Sequence, residues 1–322
     1  MIVWVLLFMV TQIDAKRGSR IDIYKQNGGD ILQMKPGKSV WGKMRNALPT
    51  NSLNRWTEYR DENRNYVLPF TITGKFEPDE RTIIFGAMRA IERNTCLKFK
   101  RRERERDYVD IRNERNEGCY TSVGRHRGKN VVMLEANNIA TCAEHDIVIH
   151  EFMHTIGLWH EHMRYDRDKY IKVHFDRIEP MFYSQFEKIS KQESTTYGVE
   201  YDYRSVMHYS KDAFAERPGD ITMETVDKSM QDVIGRVTDA SPSDYIKICS
   251  IYKCGQCMGK PFGKKKSGSR TSPEDNRSSN ERKKVERSCG DSFFCSHLLK
   301  TQPKEQICNM EAYQRWCCAS CS

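Results

Sequence analysis

The chain has 322 residues, 53 Lys and Arg against 44 Asp and Glu, a formal charge of +9, and twelve cysteines. An even, clustered set of cysteines belongs to an oxidising compartment and makes nucleic acid an implausible partner. After the first residues no stretch is apolar and long enough for a membrane-spanning helix.

Residues 2–10 form an apolar run too short for a stable anchor. With Ile13-Asp14-Ala15 behind it, the run reads as a signal peptide over 1–15, so the product is expected to be secreted. Asn27-Gly28-Gly29-Asp30 then reads as an acid in a glycine turn. Over 76–96, Ile83, Ile84, Ala87, Met88 and Ile91 recur with the 3.6-residue rhythm of one long helix. Tyr108-Val109-Asp110-Ile111 and Val131-Val132-Met133-Leu134 read as short strands. A second helix begins near Asp146, whose charge suits a helix N-terminus.

On that helix His150 and His154 are four residues apart and share a face, so both imidazoles can grip one metal ion. Gly157 permits the turn that ends the helix, and His160 follows as a third nitrogen ligand. Three neutral imidazoles leave a fourth position open, as in catalytic zinc sites. Glu151 is placed to reach a water beside the metal. The pentad alone also occurs on ordinary amphipathic helices. The added Gly157 and His160 complete the metzincin signature H-E-x-x-H-x-x-G-x-x-H. Ser205-Val206-Met207-His208-Tyr209 supplies a methionine turn, with Met207 an apolar floor under the imidazoles.

These residues resemble the astacin family of zinc endopeptidases. Its longer signature is matched at His150, Glu151, His154, Gly157, His160, Glu161, Arg164, Asp166, Arg167 and Asp168, and its S-x-M-H-Y turn at Ser205 to Tyr209. Thr95-Cys96, Gly118 to Arg125 and Tyr252-Lys253-Cys254 also match, so the resemblance covers 46–254. It implies an α+β fold, a two-lobed catalytic domain with a small mixed sheet and a zinc helix, the cleft lying between the lobes. One zinc per chain is then held by His150, His154 and His160, with Glu151 as general base and acid. Tyr209 is a further weak ligand that swings off the metal to support the oxyanion. Glu161 receives the N-terminus freed on maturation. Cys96 pairs with Cys254 and Cys119 with Cys142, whereas Cys249 and Cys257 fall outside the pattern and could pair with each other. An edge strand near Val131 to Leu134 is expected to pair with the substrate backbone.

The resemblance also implies a zymogen. Residues 16–45 are then a propeptide, and Gly29-Asp30-Ile31 resembles an inhibitory motif whose aspartate takes the water position on zinc. Arg45-Asn46-Ala47 resembles the maturation boundary and implies a trypsin-like activator. Arg236, in Ile234-Gly235-Arg236, lies near the expected primed-side pocket, although the family's usual Gln and Arg are here Arg236 and Val237. It suggests acidic side chains just after the scissile bond.

Residues 255–288 carry ten Lys or Arg against four acids and few large apolar side chains, a flexible linker that could also attract sulfated polysaccharide. Arg282-Lys283-Lys284 is a candidate nick site and Asn276-Arg277-Ser278 a glycosylation sequon. Residues 289–322 hold six cysteines spaced C-x5-C-x12-C-x8-C-C-x2-C. The adjacent Cys317 and Cys318 resemble a PLAC module more than a ShK fold, with connectivity open. The substrates expected are extracellular proteins or peptides. A catalytically silent matrix-binding protein, working through the linker and tail, is the competing reading.

Overall fold

The computed structural model describes residues 17–26, 28–31, 47–189 and 195–263, with 304, 308 and 318–321 near the C-terminal end. The expected signal peptide, the expected Arg45-Asn46 boundary, Asn276, the basic linker beyond residue 263 and most of the six-cysteine segment lie outside them. Lys265–Ser322 forms a separate unit, in which Cys308 pairs with Cys321. No helix among the described residues is long and apolar enough to cross a membrane.

Two short strands, β1 (Ser19–Arg20) and later β7 (Ala140–Thr141), pair in parallel and fasten the N-terminal segment to the body. The main sheet is built from β2 (Tyr66–Ile72), β3 (Leu97–Arg101), β4 (Tyr108–Arg112), β5 (Cys119–Thr121) and β6 (Lys129–Leu134), in the order β3-β2-β4-β6-β5. All its pairings are parallel except β5 with β6. The expected edge strand is therefore a correction: β6 is internal, between β4 and β5, and the end strands are β3 and β5. The reason is legible in its side chains. Val132, Met133 and Leu134 are all buried, the continuous apolar run of a strand covered on both faces.

Helix α1 (Pro78–Asn94) starts where Pro78 presets the first turn and where Glu77 and Glu80 form a reciprocal capping box. Its buried Ile84, Ala87, Met88 and Ile91 pack against α2 (His145–Thr155). Helix α2 is buried almost throughout, with Ile147, Val148, Ile149, Phe152 and Met153 in the core. Arg20 pairs with Asp146 in its first turn at 2.8 Å. The helix stops at Gly157, whose φ of +119° few other residues adopt and whose absent side chain leaves room for Leu48, 2.8 Å from where a Cβ would sit.

After His160 the chain is mostly irregular, with short 3-10 turns, a two-stranded ribbon of β8 (Ile171–Val173) and β9 (Met223–Thr225), and helix α3 (Pro242–Tyr252). Cys96 pairs with Cys254, Cys119 with Cys142 and Cys249 with Cys257. The first bond ties the end of α1 to the end of α3, and the second ties the end strand β5 to the entry of α2.

Beside the sheet, buried Asp107 accepts from Arg106 Nε at 2.8 Å and Gly128 N at 2.8 Å, and also pairs with Arg125. The Arg106 hydrogen bond first, with Gly128 and Arg125 adding to it against burial, holds its carboxyl at about 2. A depressed carboxyl stabilises fully above its unfolded value near 4 and loses that contribution as pH falls toward 2. Asp107→Asn should lower stability at neutral pH by about 1–2 kcal/mol, discounted because Arg106 is exposed. Urea unfolding at stepped pH should show the wild-type loss between pH 4 and 2 flattened in the variant.

Candidate metal centre

One turn of α2 separates His150 from His154, and the Gly157 turn returns the chain so that His160 faces both. The Nε2 atoms of the three rings lie 2.7, 3.3 and 2.9 Å from Asp30 Oδ2. All four donors fall within 4.8 Å of one another and are fully buried. Val206 O and Leu158 O each lie 2.7 Å from an Nδ1, of His150 and His154 respectively. A carbonyl can only accept, so the protons sit on Nδ1 and the Nε2 lone pairs face inward. Burial lowers His154 and holds His160 at about 3, which keeps both in the neutral form that binds metal. This donor set fits a single zinc ion.

Asp30 is fully buried, with Oδ2 at the point where the three Nε2 atoms converge. The segment around it is fastened over the cleft. Thr121 N donates to Asp30 O at 2.9 Å, Ile31 bridges Thr121 in parallel, and Cys119 N donates to Gln26 Oε1 at 3.0 Å. Lys25 reaches Asp212 at 2.7 Å and Phe214 N donates to Tyr24 O at 3.0 Å.

The floor under the imidazoles is set by α3. Ser241 and Asp244 form its capping box, and Asp244 also accepts from Ser205 Oγ at 2.6 Å and Val206 N at 3.0 Å. One carboxylate thereby fixes the turn carrying buried Met207 and aims the Val206 carbonyl at His150. The capping pattern Ser241-x-x-Asp244 is visible in the sequence, but its reach to Ser205 is not.

Glu151 is fully buried on α2, and Tyr209 is fully buried beside it, its ring 4.3 Å from that of His160. Burial, then the Asp30 carboxylate, push the Tyr209 phenol well above its ordinary value, with Glu151 a lesser contributor. The Tyr209 hydroxyl donates to Gln185 Oε1 at 3.3 Å. The Tyr24 ring, on the N-terminal segment, lies 4.9 Å from that of Tyr209. Gln185 carried no motif to announce it. Neither did His162, which packs 4.0 Å from the Tyr209 ring and lies 2.8 Å from Gln185 O through Nε2.

Glu161 is buried and already engaged: Oε1 accepts from Arg164 at 3.0 Å and Asp202 N at 3.1 Å, and Oε2 from Lys247 at 2.5 Å. Ala47 bridges Leu158 and Leu48 N donates to Gly157 O at 2.9 Å, so the segment after the expected cleavage point rests against the same turn. Arg236 is exposed. Its neighbour Gly235 abuts the Ser210 backbone, 2.3 Å from where a Cβ would sit, which puts Arg236 on the loop beside Tyr209.

Three imidazoles meeting at one buried point, two on helix α2 and one just beyond its Gly157 turn, together with the relatives below, define the class as a zinc metalloendopeptidase. The chain belongs to the astacin family of peptidases, whose profile matches residues 55–253. Zinc metalloproteinase nas-5 of Caenorhabditis elegans is 42% identical over 318 residues, 95% of this chain and 87% of that protein. Zinc metalloproteinase nas-6 of the same organism is 42% identical over 188 residues, 58% of this chain and 53% of its own length. Among solved structures, high choriolytic enzyme 1, a hatching-enzyme zinc protease of Oryzias latipes, superposes with a TM-score of 0.58 at 30% identity. It is covered completely by 65% of this chain.

A ligand that binds only the folded chain stabilises it by about 4 kcal/mol at a thousandfold excess over Kd. Stripping zinc from the processed protein should therefore lower Tm by about 8–16 °C. Calorimetry with and without chelator measures this, and an unchanged Tm would argue against a bound ion.

Proposed function

We propose that this astacin-family enzyme is made latent, is secreted, and hydrolyses peptide bonds of extracellular or matrix proteins. The observation that carries the reading is the Asp30 carboxylate lying within 3.3 Å of all three imidazoles. Zinc held by His150, His154 and His160 would supply a water acidic enough to attack and would polarise the scissile carbonyl. Glu151 takes a proton from the attacking water and returns it to the leaving amine. Tyr209 donates to the oxyanion as it develops. Asp30 excludes the water until a trypsin-like protease cuts after Arg45. Glu161 is the carboxylate assigned to the new N-terminus, alongside Arg164 and Lys247. Arg236 is assigned to acidic side chains on the primed side, and the basic linker and PLAC-like tail to matrix polyanions.

Trypsin treatment of the secreted chain should release casein hydrolysis that a chelator abolishes and added zinc restores. Activity indifferent to chelator, or none after complete processing, would defeat the reading and favour a silent matrix-binding role.

A further inference from the structure

Ile31, the residue after the blocking carboxylate, is fully buried, and it is buried against a discrete set of side chains: Val123, Trp159, Met163 and Ile189. None of these four belongs to the pro-segment. Trp159 directly precedes the ligand His160, Met163 follows it by three residues, and Val123 lies two beyond Thr121 just past the sheet edge. The fourth wall is held in place by Ile189 N donating to Met163 O at 2.8 Å. At this point the pro-segment lies along the edge as an added strand, with Thr121 N donating to Asp30 O at 2.9 Å. An extended substrate would use the same edge. Removal of the pro-segment then leaves an apolar recess one residue from the metal, shaped for a branched aliphatic group.

We infer that Val123, Trp159, Met163 and Ile189 form a substrate subsite, and that the enzyme selects a branched aliphatic side chain flanking the scissile bond. The inference rests on the reading that Asp30 sits where the cleaved bond is attacked. Ile31 is the pro-segment's stand-in for that substrate side chain. A charged residue in the same place would lose its water with no partner among four apolar walls.

The processed enzyme, given a combinatorial peptide library, should cleave with Ile, Val and Leu enriched at one of the two positions flanking the bond and Asp, Glu and Lys depleted there. Trimming the matching side chain by one methylene should lower kcat/KM about tenfold. Ile189→Ala, which widens the recess, should move the preference toward Phe and Met. Robust cleavage without aliphatic enrichment on either flank, or a profile unmoved by Ile189→Ala, overturns the subsite while leaving the protease reading intact. A second measurement needs no catalysis. A labelled peptide covering residues 23–36 should bind the processed protein at least about tenfold more tightly than its Ile31→Asp form, with Ile31→Leu close to wild type. Equal binding of all three overturns the inference. Absence of chelator-sensitive cleavage with the binding order intact would instead remove the catalytic reading.

Discussion

Glu151→Gln should lower kcat by about 10³–10⁴-fold while leaving zinc content, Tm and KM near wild type. The substitution keeps size and hydrogen-bonding capacity on a helix anchored by buried Ile147, Val148, Ile149, Phe152 and Met153, so α2 should hold its position. What it removes is an ionisable group at a fully buried position next to His150. An amide cannot take a proton from water at neutral pH, and the leaving amine then lacks its donor as well. The loss should therefore fall on kcat and kcat/KM alike, the pattern of an interaction made in the transition state only. Zinc analysis belongs beside the kinetics, because His150 is the preceding residue. Full zinc with full activity would remove Glu151 from the proton path. Lost zinc would show that its charge holds the centre together instead.

How much of this was legible in the chain follows from the range of the interactions involved. The metal centre is local in sequence: His150, Glu151, His154, Gly157 and His160 span a single helix and its turn, so fixed offsets announce it. Helix α1 is legible for the same reason, and its start moved only to Pro78, where the ring presets the first turn. Which strand forms the sheet edge is a non-local matter. Val131 to Leu134 look like a strand, and they are one, but their rank in the sheet depends on β5 folding back antiparallel outside them. Asp244 sits 38 residues beyond Val206, and its grip on the methionine turn arises only when α3 docks. Gln185 lies in a 3-10 segment with no periodicity to read, yet its backbone and side chain touch His162 and Tyr209. The pairing of Cys249 with Cys257 stayed open in the sequence because even spacing cannot rank partners.

The uncleaved chain carrying Asp30→Ala should hydrolyse peptide substrate about 10²-fold faster than the uncleaved wild type. The magnitude follows from comparing the contacts that hold the pro-segment. Arg20 with Asp146 and Lys25 with Asp212 are exposed pairs, each contributing less than about 1 kcal/mol. The Asp30 carboxylate is buried among the three imidazoles where zinc would bind it, and an ionic contact of that kind would contribute about 3 kcal/mol, some two decades in the population of the open centre. Yet Ile31 stays in its apolar recess and Tyr24 stays over Tyr209 in the variant, so activity should remain below that of the processed enzyme. The variant would thereby separate two halves of the proposed latency: a carboxylate at the centre, and a segment laid along β5. N-terminal sequencing must confirm that Arg45 is uncut throughout the assay. An uncleaved variant as silent as wild type, with trypsin-treated material active, would place latency in the covering strand and leave Asp30 a bystander.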